Sequence, residues 1–361
     1  MTTSPYSRLD RMLHHVAFAS LGMQRALADI EERFLPEGAL EVPLRRPVFV
    51  TSLPRAGTTL FLELLARCPD FATHSYRDMP FVLCPILWQR LSSGWRKTST
   101  LAERAHGDGV LVSYDSPEAF DEVIWKAFWP RKYAADRIHT FTPADRNPEF
   151  EDFFRRHMRK LVARRMEAEG GAPGTVRYLS KNNALIGRID LLRMLFPDAD
   201  IVIPLRDPWS HVASLQKQHR RFLALHAEDR FAARYMAWLG HYEFGTTLRP
   251  IDFDGWLDRC EVRDPDDERF WLLYWSQAYE AVMGGLEGGR VHLVDFERAR
   301  AAPREVLERL ATALDLAEPR ALVDQADRFR EPTVRESARR PANPLERKVR
   351  DIYQALRDRC L

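Results

Sequence analysis

The chain has 361 residues, of which 45% are hydrophobic and 29% charged, a make-up that allows a sizeable buried core. Its 54 basic and 52 acidic residues nearly cancel, leaving a formal charge of +2. That balance excludes bulk attraction to nucleic acid or an anionic membrane, so anions must be held by local placement of arginine and lysine.

Taken in chain order, residues 8 to 34 carry helical periodicity (Leu9, Met12, Leu13, Val16, Leu21, Leu27, Ile30) and predict an N-terminal helical segment within residues 1–40. Pro47 to Leu53 reads as a buried strand and Thr58 to Arg67 as a helix stopped by Pro69. Ser116-Pro117-Glu118 has the cap, proline and acid of a helix start, with Phe120, Ile124 and Phe128 at i, i+4 behind it. A further helix is expected over 149–168, before the Gly170-Gly171 break. Arg177–Lys181 and Asp200–Leu205 then read as strands around an amphipathic helix at Ala184–Phe196. Asp207-Pro208 starts the next helix. Residues 209–285 are mostly helical, with an interruption near 245–268. Arg290–Asp295 is a last strand before a helix at 303–314.

Strands alternating with helices predict an α/β fold: a P-loop-type parallel β-sheet flanked by helices, with large helical insertions at 75–175 and 209–285. The expectation is a single domain over 1–361, closed by a loop and helix at 338–361. No apolar run approaches the roughly 20 residues that span a bilayer, and no secretion signal is legible at the N-terminus. Cys68, Cys84, Cys260 and Cys360 lie far apart, which suits free thiols and a cytoplasmic setting better than disulfides or a zinc site. His14 and His15 point about 100° apart on a helix, the wrong geometry for joint metal ligation.

The chemistry starts at TSLPRAGTTLFL, residues 51–62, directly after PVFV. A strand turning into a helix N-terminus presents backbone N–H groups and a positive dipole end to an anion. Gly57 permits close approach, Thr58 and Thr59 add hydroxyls, and Arg55 supplies full charge. An ATP loop places a lysine after its second glycine. Here Thr58 stands at that position, and Ser52 replaces the first glycine, which counts against an ATPase or kinase. Strand carboxyl ends share one edge of a doubly wound sheet, so Arg55, Lys181 and Arg206 are expected to converge there. Three cations suit a ligand with several phosphate or sulfate groups.

Three stretches resemble the sulfotransferase family. PRAGTTL at 54–60 is similar to its 5′-phosphosulfate loop. IVIPLRDPWSHVAS at 201–214 resembles its 3′-phosphate motif, an arginine with a serine eight positions on. RVHLVDFERARAAPREVLERLATALDL at 290–316 is similar to its late strand and helix, with Phe296-Glu297 where tyrosine-glutamate often stands. The resemblance implies transfer of a sulfuryl group from 3′-phosphoadenosine 5′-phosphosulfate (PAPS), without a metal, to a small-molecule, lipid or carbohydrate acceptor. A homodimer is left open. By the same resemblance Arg55, Ala56, Gly57, Thr58, Thr59 and Leu60 hold the 5′-phosphosulfate, and Arg206 and Ser214 the 3′-phosphate. Lys181 resembles a lysine that carbohydrate-type members of the family place near the transferred group. The alternatives are a nucleotide kinase and a non-catalytic nucleotide-binding scaffold.

An acceptor hydroxyl needs a proton acceptor. HSYRDMP at 74–80 offers His74 and Asp78, and AHGDG at 105–109 offers His106 and Asp108; Asp78 ranks first and His106 second. Glu118 reads as a helix-start residue. Arg335, Ser337, Arg339 and Arg340 are candidates to close over a nucleotide, with a solvated basic face as the competing reading. The aromatics Phe81, Trp88, Trp95, Phe120, Trp125, Phe128 and Trp129 read as core before acceptor pocket.

Overall fold

Five short segments form one parallel sheet in the computed structural model, which describes residues 8–35, 37–92, 102–103, 111–112, 116–118, 120–169, 174–286, 289–329 and 341–361. They are β1 (Val48–Val50), β2 (Phe71–Ala72), β3 (Arg177–Lys181), β4 (Asp200–Leu205) and β5 (Val291–Asp295). Their order is β2-β3-β1-β4-β5, with Val48 opposite both Leu179 and Asp200. The strands β1, β3 and β4 are buried at every position. With both faces covered, β1 and most of β4 read as continuous apolar runs, whereas β3 (RYLSK) also buries Arg177, Ser180 and Lys181.

Alternate side chains feed two separate cores. Val48, Val50, Leu179 and Val202 pack with α3 (Thr58–Leu65), α13 (Pro303–Leu314) and α14 (Pro319–Val323) through Phe61, Leu65, Leu310 and Leu322. Phe49, Tyr178, Ile201 and Ile203 face the larger core. That core takes in α5 (Asp121–Phe128), α6 (Pro148–Glu169), α8 (Pro208–Glu228), α9 (Arg230–Leu239), α11 (Glu268–Gly284) and α15 (Pro344–Arg357). Phe120 and Trp125 lie fully buried here, Trp125 with its ring centroid 4.4 Å from that of Phe150, so both are core residues. Trp95 falls outside the described residues.

The N-terminal segment forms α1 (Arg8–Ala19) and α2 (Leu21–Glu31) as its periodicity predicts. Two expectations are corrected. Ser116–Glu118 does not start a helix: Pro117 bridges Ser75 in antiparallel fashion, and α5 begins only at Asp121. Residues 184–196 split into a 3-10 turn at Asn183–Gly187 and the short helix α7 (Ile189–Leu195). The C-terminal helix α15 docks on β5, where Arg357 pairs with Asp295 at 2.8 Å and the Leu361 N–H reaches the Leu293 carbonyl at 3.0 Å.

The two ends of the sheet carry opposite charge logic. At the strand N-termini, Asp200 is fully buried and is met by Arg46, Arg177, Arg290 and His292 at 2.5–3.1 Å. The buried carboxylate is thus matched several times over. At the carboxyl ends the connections after β1 and β4 leave toward opposite edges of the sheet, the arrangement that opens a crevice for a ligand.

Candidate active site

The loop after β1 is built to leave a helix N-terminus open. Gly57 caps α3 with φ 97° and offers no side-chain cap, so the first-turn N–H groups face outward. A Cβ on Gly57 would lie 2.4 Å from the Phe296 ring. Phe296 opens α12 (Phe296–Ala301), so ring and loop pack in direct contact. Arg55 takes φ 71°, a conformation uncommon for a side-chain-bearing residue. It is fixed at both ends: the Arg55 carbonyl accepts from Arg206 at 2.8 Å, and its Nε donates to Ser214 at 3.3 Å. Beneath it, His211 donates from Nε2 to the Pro54 carbonyl at 2.8 Å. Burial first, then the neighbouring Arg206, pushes that imidazole down to about 3, so it braces the loop as a neutral donor.

Arg55, Lys181 and Arg206 converge on one cavity of about 210 Å³, together with Gly57, Thr58, Thr59, Leu60 and Phe296. Among the described residues Arg206 has no ion pair; its neighbour Asp207 instead caps α8 through the Ser210 N–H at 2.8 Å. Burial therefore works against the Arg206 charge, with Glu297 the main opposing influence. Glu297 accepts from the Asp207 N–H at 3.1 Å, and burial raises its carboxyl to about 7. Three cations thus share one cavity wall, with Arg206 desolvated by burial, a grouping of the kind that suits a polyanion.

Two predicted positions sit differently. Ala56 is fully buried and does not line the cavity. Ser214 also stands outside the lining and meets it through Arg55. The Thr58 hydroxyl is already committed, donating to Asn183 Oδ1 at 3.1 Å.

Asp78 does not reach this cavity. It is fully buried, with Arg164 at 2.6 Å and His74 at 2.7 Å on its carboxylate. Burial alone would raise its pKa, but Arg164 and His74 overcome that and hold it well below the usual carboxylate range. Such a group is a poor proton acceptor, and His74 is occupied on its other nitrogen by His157 at 2.8 Å. The first-ranked sequence candidate is thus held in a buried ion pair away from the cavity. His106 and Asp108 lie outside the described residues, as do Arg335, Ser337, Arg339 and Arg340.

The cavity contains four polar residues that sequence reasoning missed as site members: Glu118, Asn183, His241 and Glu243. Glu118 arrives through the Ser75–Pro117 bridge and accepts from the Tyr76 hydroxyl. Asn183 follows Lys181 by two residues on the same sheet edge, so the logic that picked Lys181 also reaches it. His241 and Glu243 come from the turn after α9, where no motif marks them. A second, tighter cavity of about 30 Å³ adjoins the first and shares Pro54, Lys181, Asn183, His241 and Glu243 with it. Its remaining walls are largely apolar, among them Leu53, Ile138, Leu248, Ile251 and Tyr274.

The model of the sulfotransferase family matches residues 47–249, more than half the chain. In structure the chain is similar to sulfotransferase STF9 from Mycobacterium avium, with a TM-score of 0.52 and 14% identity, covering 99% of this chain and 87% of that one. It is also similar to sulfotransferase STF1 from Mycobacterium tuberculosis H37Rv, at 15% identity and a TM-score of 0.47, covering 96% and 86% of the two chains. No curated protein matches the sequence. The family match spans β1, the loop after it, β3, β4 and Arg206, the segments that assemble the cavity, and the chain belongs to the sulfotransferase family.

Proposed function

We propose that the chain moves a sulfuryl group from PAPS to an acceptor hydroxyl or amine. The observation that carries this reading is the meeting of Arg55, Lys181 and Arg206 at the open N-terminus of α3, against a glycine that lets the backbone approach a ligand. The residues fit the donor's anionic groups. The loop N–H groups with Arg55 and Thr59 suit the 5′-phosphosulfate, and Arg206 suits the 3′-phosphate. PAPS supplies an activated sulfuryl group whose transfer leaves adenosine 3′,5′-bisphosphate. The protein's part is positioning together with cations where negative charge grows on the leaving oxygen. Arg55 and Lys181 stand ready for that task by their place on the cavity wall. Four free cysteines, two of them buried, are in keeping with a reducing, cytoplasmic setting. No helix among the described residues is long and apolar enough to cross a membrane.

Transfer of labelled sulfate from PAPS to a panel of hydroxylated compounds tests the reading. Arg206→Ala should raise the apparent KM for PAPS by about ten- to a hundredfold, the loss of one charge-assisted contact of ~1.5–3 kcal/mol. An unchanged KM would remove Arg206 from the donor site.

Donor binding should also depend on pH through Glu297. Its folded pKa is raised from 4.5 to about 7 by burial. The folded state thus holds a proton that the unfolded chain has lost between those values, and this group's contribution to stability falls as pH rises through that window. The same ionisation places a negative charge near Arg206, so bisphosphate affinity should weaken as pH climbs past about 7. Calorimetric titrations at several pH values check this, with Glu297→Gln flattening the profile.

A further inference from the structure

The first hydroxyl of the donor-loop helix belongs to a run of hydrogen bonds along the cavity wall. Thr58 opens α3 and donates from its hydroxyl to Asn183 Oδ1 at 3.1 Å. Asn183 in turn donates from Nδ2 to the Glu243 carboxylate at 3.1 Å. All three residues line the donor cavity. They come from separate parts of the fold: the start of α3, the segment just after β3 and the turn after α9.

The direction of this run is set at Glu243. Burial works against its charge, yet His241, Lys181 and Asn183 hold the carboxyl down to about 2. At neutral pH it is therefore ionised and can only accept. The amide nitrogen of Asn183 must face Glu243, which leaves the amide oxygen for Thr58. A hydroxyl has a single hydrogen. With that hydrogen given to Asn183, Thr58 has only lone pairs left, and a phosphate or sulfate oxygen can take no hydrogen bond from it.

Both ends of the run are anchored. The Asn182 N–H extends the β3–β1 pairing to the Val50 carbonyl at 3.0 Å, and the Asn183 carbonyl accepts from the Thr51 hydroxyl at 3.4 Å. Glu243 stands three residues past Gly240, which closes α9 in the left-handed conformation at φ 80°. Lys126 donates to the Ala237 and Trp238 carbonyls at that helix end. The Arg249 N–H binds the Tyr242 carbonyl at 2.7 Å. A polar group supported from two fixed sides keeps one orientation.

Accordingly, we propose that Glu243 is a positioning residue of the donor loop: through Asn183 it directs the Thr58 hydroxyl hydrogen away from the bound anion and pins the first turn of α3. The anion is then left to the backbone N–H groups and to Arg55. Thr58 serves the loop rather than the 5′-phosphosulfate, although it stands on the cavity wall. The proposal rests on the sulfuryl-transfer reading above for the identity of the ligand.

Calorimetric titration with adenosine 3′,5′-bisphosphate tests this. Loss of a negative charge from a polyanion site changes affinity by itself, so two uncharged variants are compared. Glu243→Gln keeps an oxygen for Asn183, and Glu243→Met does not. Glu243→Met should bind the bisphosphate about two- to tenfold more weakly than Glu243→Gln, the worth of one hydrogen bond. Thr58→Val should cost a similar factor in the Glu243→Gln background. In the Glu243→Met background it should cost less than about twofold, because the hydroxyl there has lost its fixed partner. Equal effects of Thr58→Val in both backgrounds, or equal affinities of Glu243→Gln and Glu243→Met, would overturn the proposal. In the parent itself, one Nδ2 proton of Asn183 should resist exchange with water; free exchange of both would overturn it without any variant. A parent that binds no bisphosphate would overturn the sulfuryl-transfer reading instead. The same double-variant comparison, read on denaturant midpoints without ligand, would then still decide whether positions 58 and 243 are coupled.

Discussion

Gly57→Ala should cost about 2–5 kcal/mol of stability and abolish measurable bisphosphate binding, because two penalties act at one atom. The backbone there has φ 97°, a region that a Cβ disfavours. The added carbon would also meet Phe296 Cε2 at 2.4 Å and Cδ2 at 2.7 Å. To make room, the ring must move or the loop must unwind, and either disturbs the carbonyl that Arg206 holds two residues earlier. Denaturant unfolding and calorimetry together check the outcome. Combining Gly57→Ala with Phe296→Ala removes the clash but not the backbone strain, so the double variant should recover only part of the stability. Full recovery would show that φ at this position carries no cost.

Asp78→Ala should be the more destabilising change, by about 3–5 kcal/mol, since it strands the partners of a buried ion pair. Arg164, His74 and the Ser75 N–H all converge on that carboxylate. The folded pKa lies below the ordinary 3.8. Its stabilising contribution is therefore complete above that value and is lost as pH falls below it. Asp78→Asn should show reduced acid sensitivity and, in the folded fraction, keep its turnover. A variant that folds like the parent but no longer transfers sulfate would instead return Asp78 to the chemistry.

These two positions also mark what the sequence makes legible. Strands β1 and β4 are apolar runs followed by turn chemistry, and the loop at 51–62 announces an anion site through its glycine and its place before a helix. Lys181 and Arg206 follow from the rule that parallel strands share a carboxyl edge. The surroundings of Asp78 are not legible in the same way, because proximity along the chain to the loop says nothing about burial and its partner Arg164 lies 86 residues away. Ser116-Pro117 carries every local mark of a helix start. Yet serine and proline sit equally well in an extended edge bridge, and the tertiary pairing with Ser75 decided between them. His241 and Glu243 had no periodic pattern to betray them. Only the closure of α9 on Gly240 brings that turn beneath the strand ends.

The donor assignment itself is tested most directly by ligand-dependent melting in the absence of magnesium. Adenosine 3′,5′-bisphosphate at a hundredfold excess over its Kd should stabilise the protein by about 2.7 kcal/mol and raise Tm accordingly, while ATP with or without magnesium does little. Stabilisation by magnesium-ATP alone, with no response to the bisphosphate, would contradict the account.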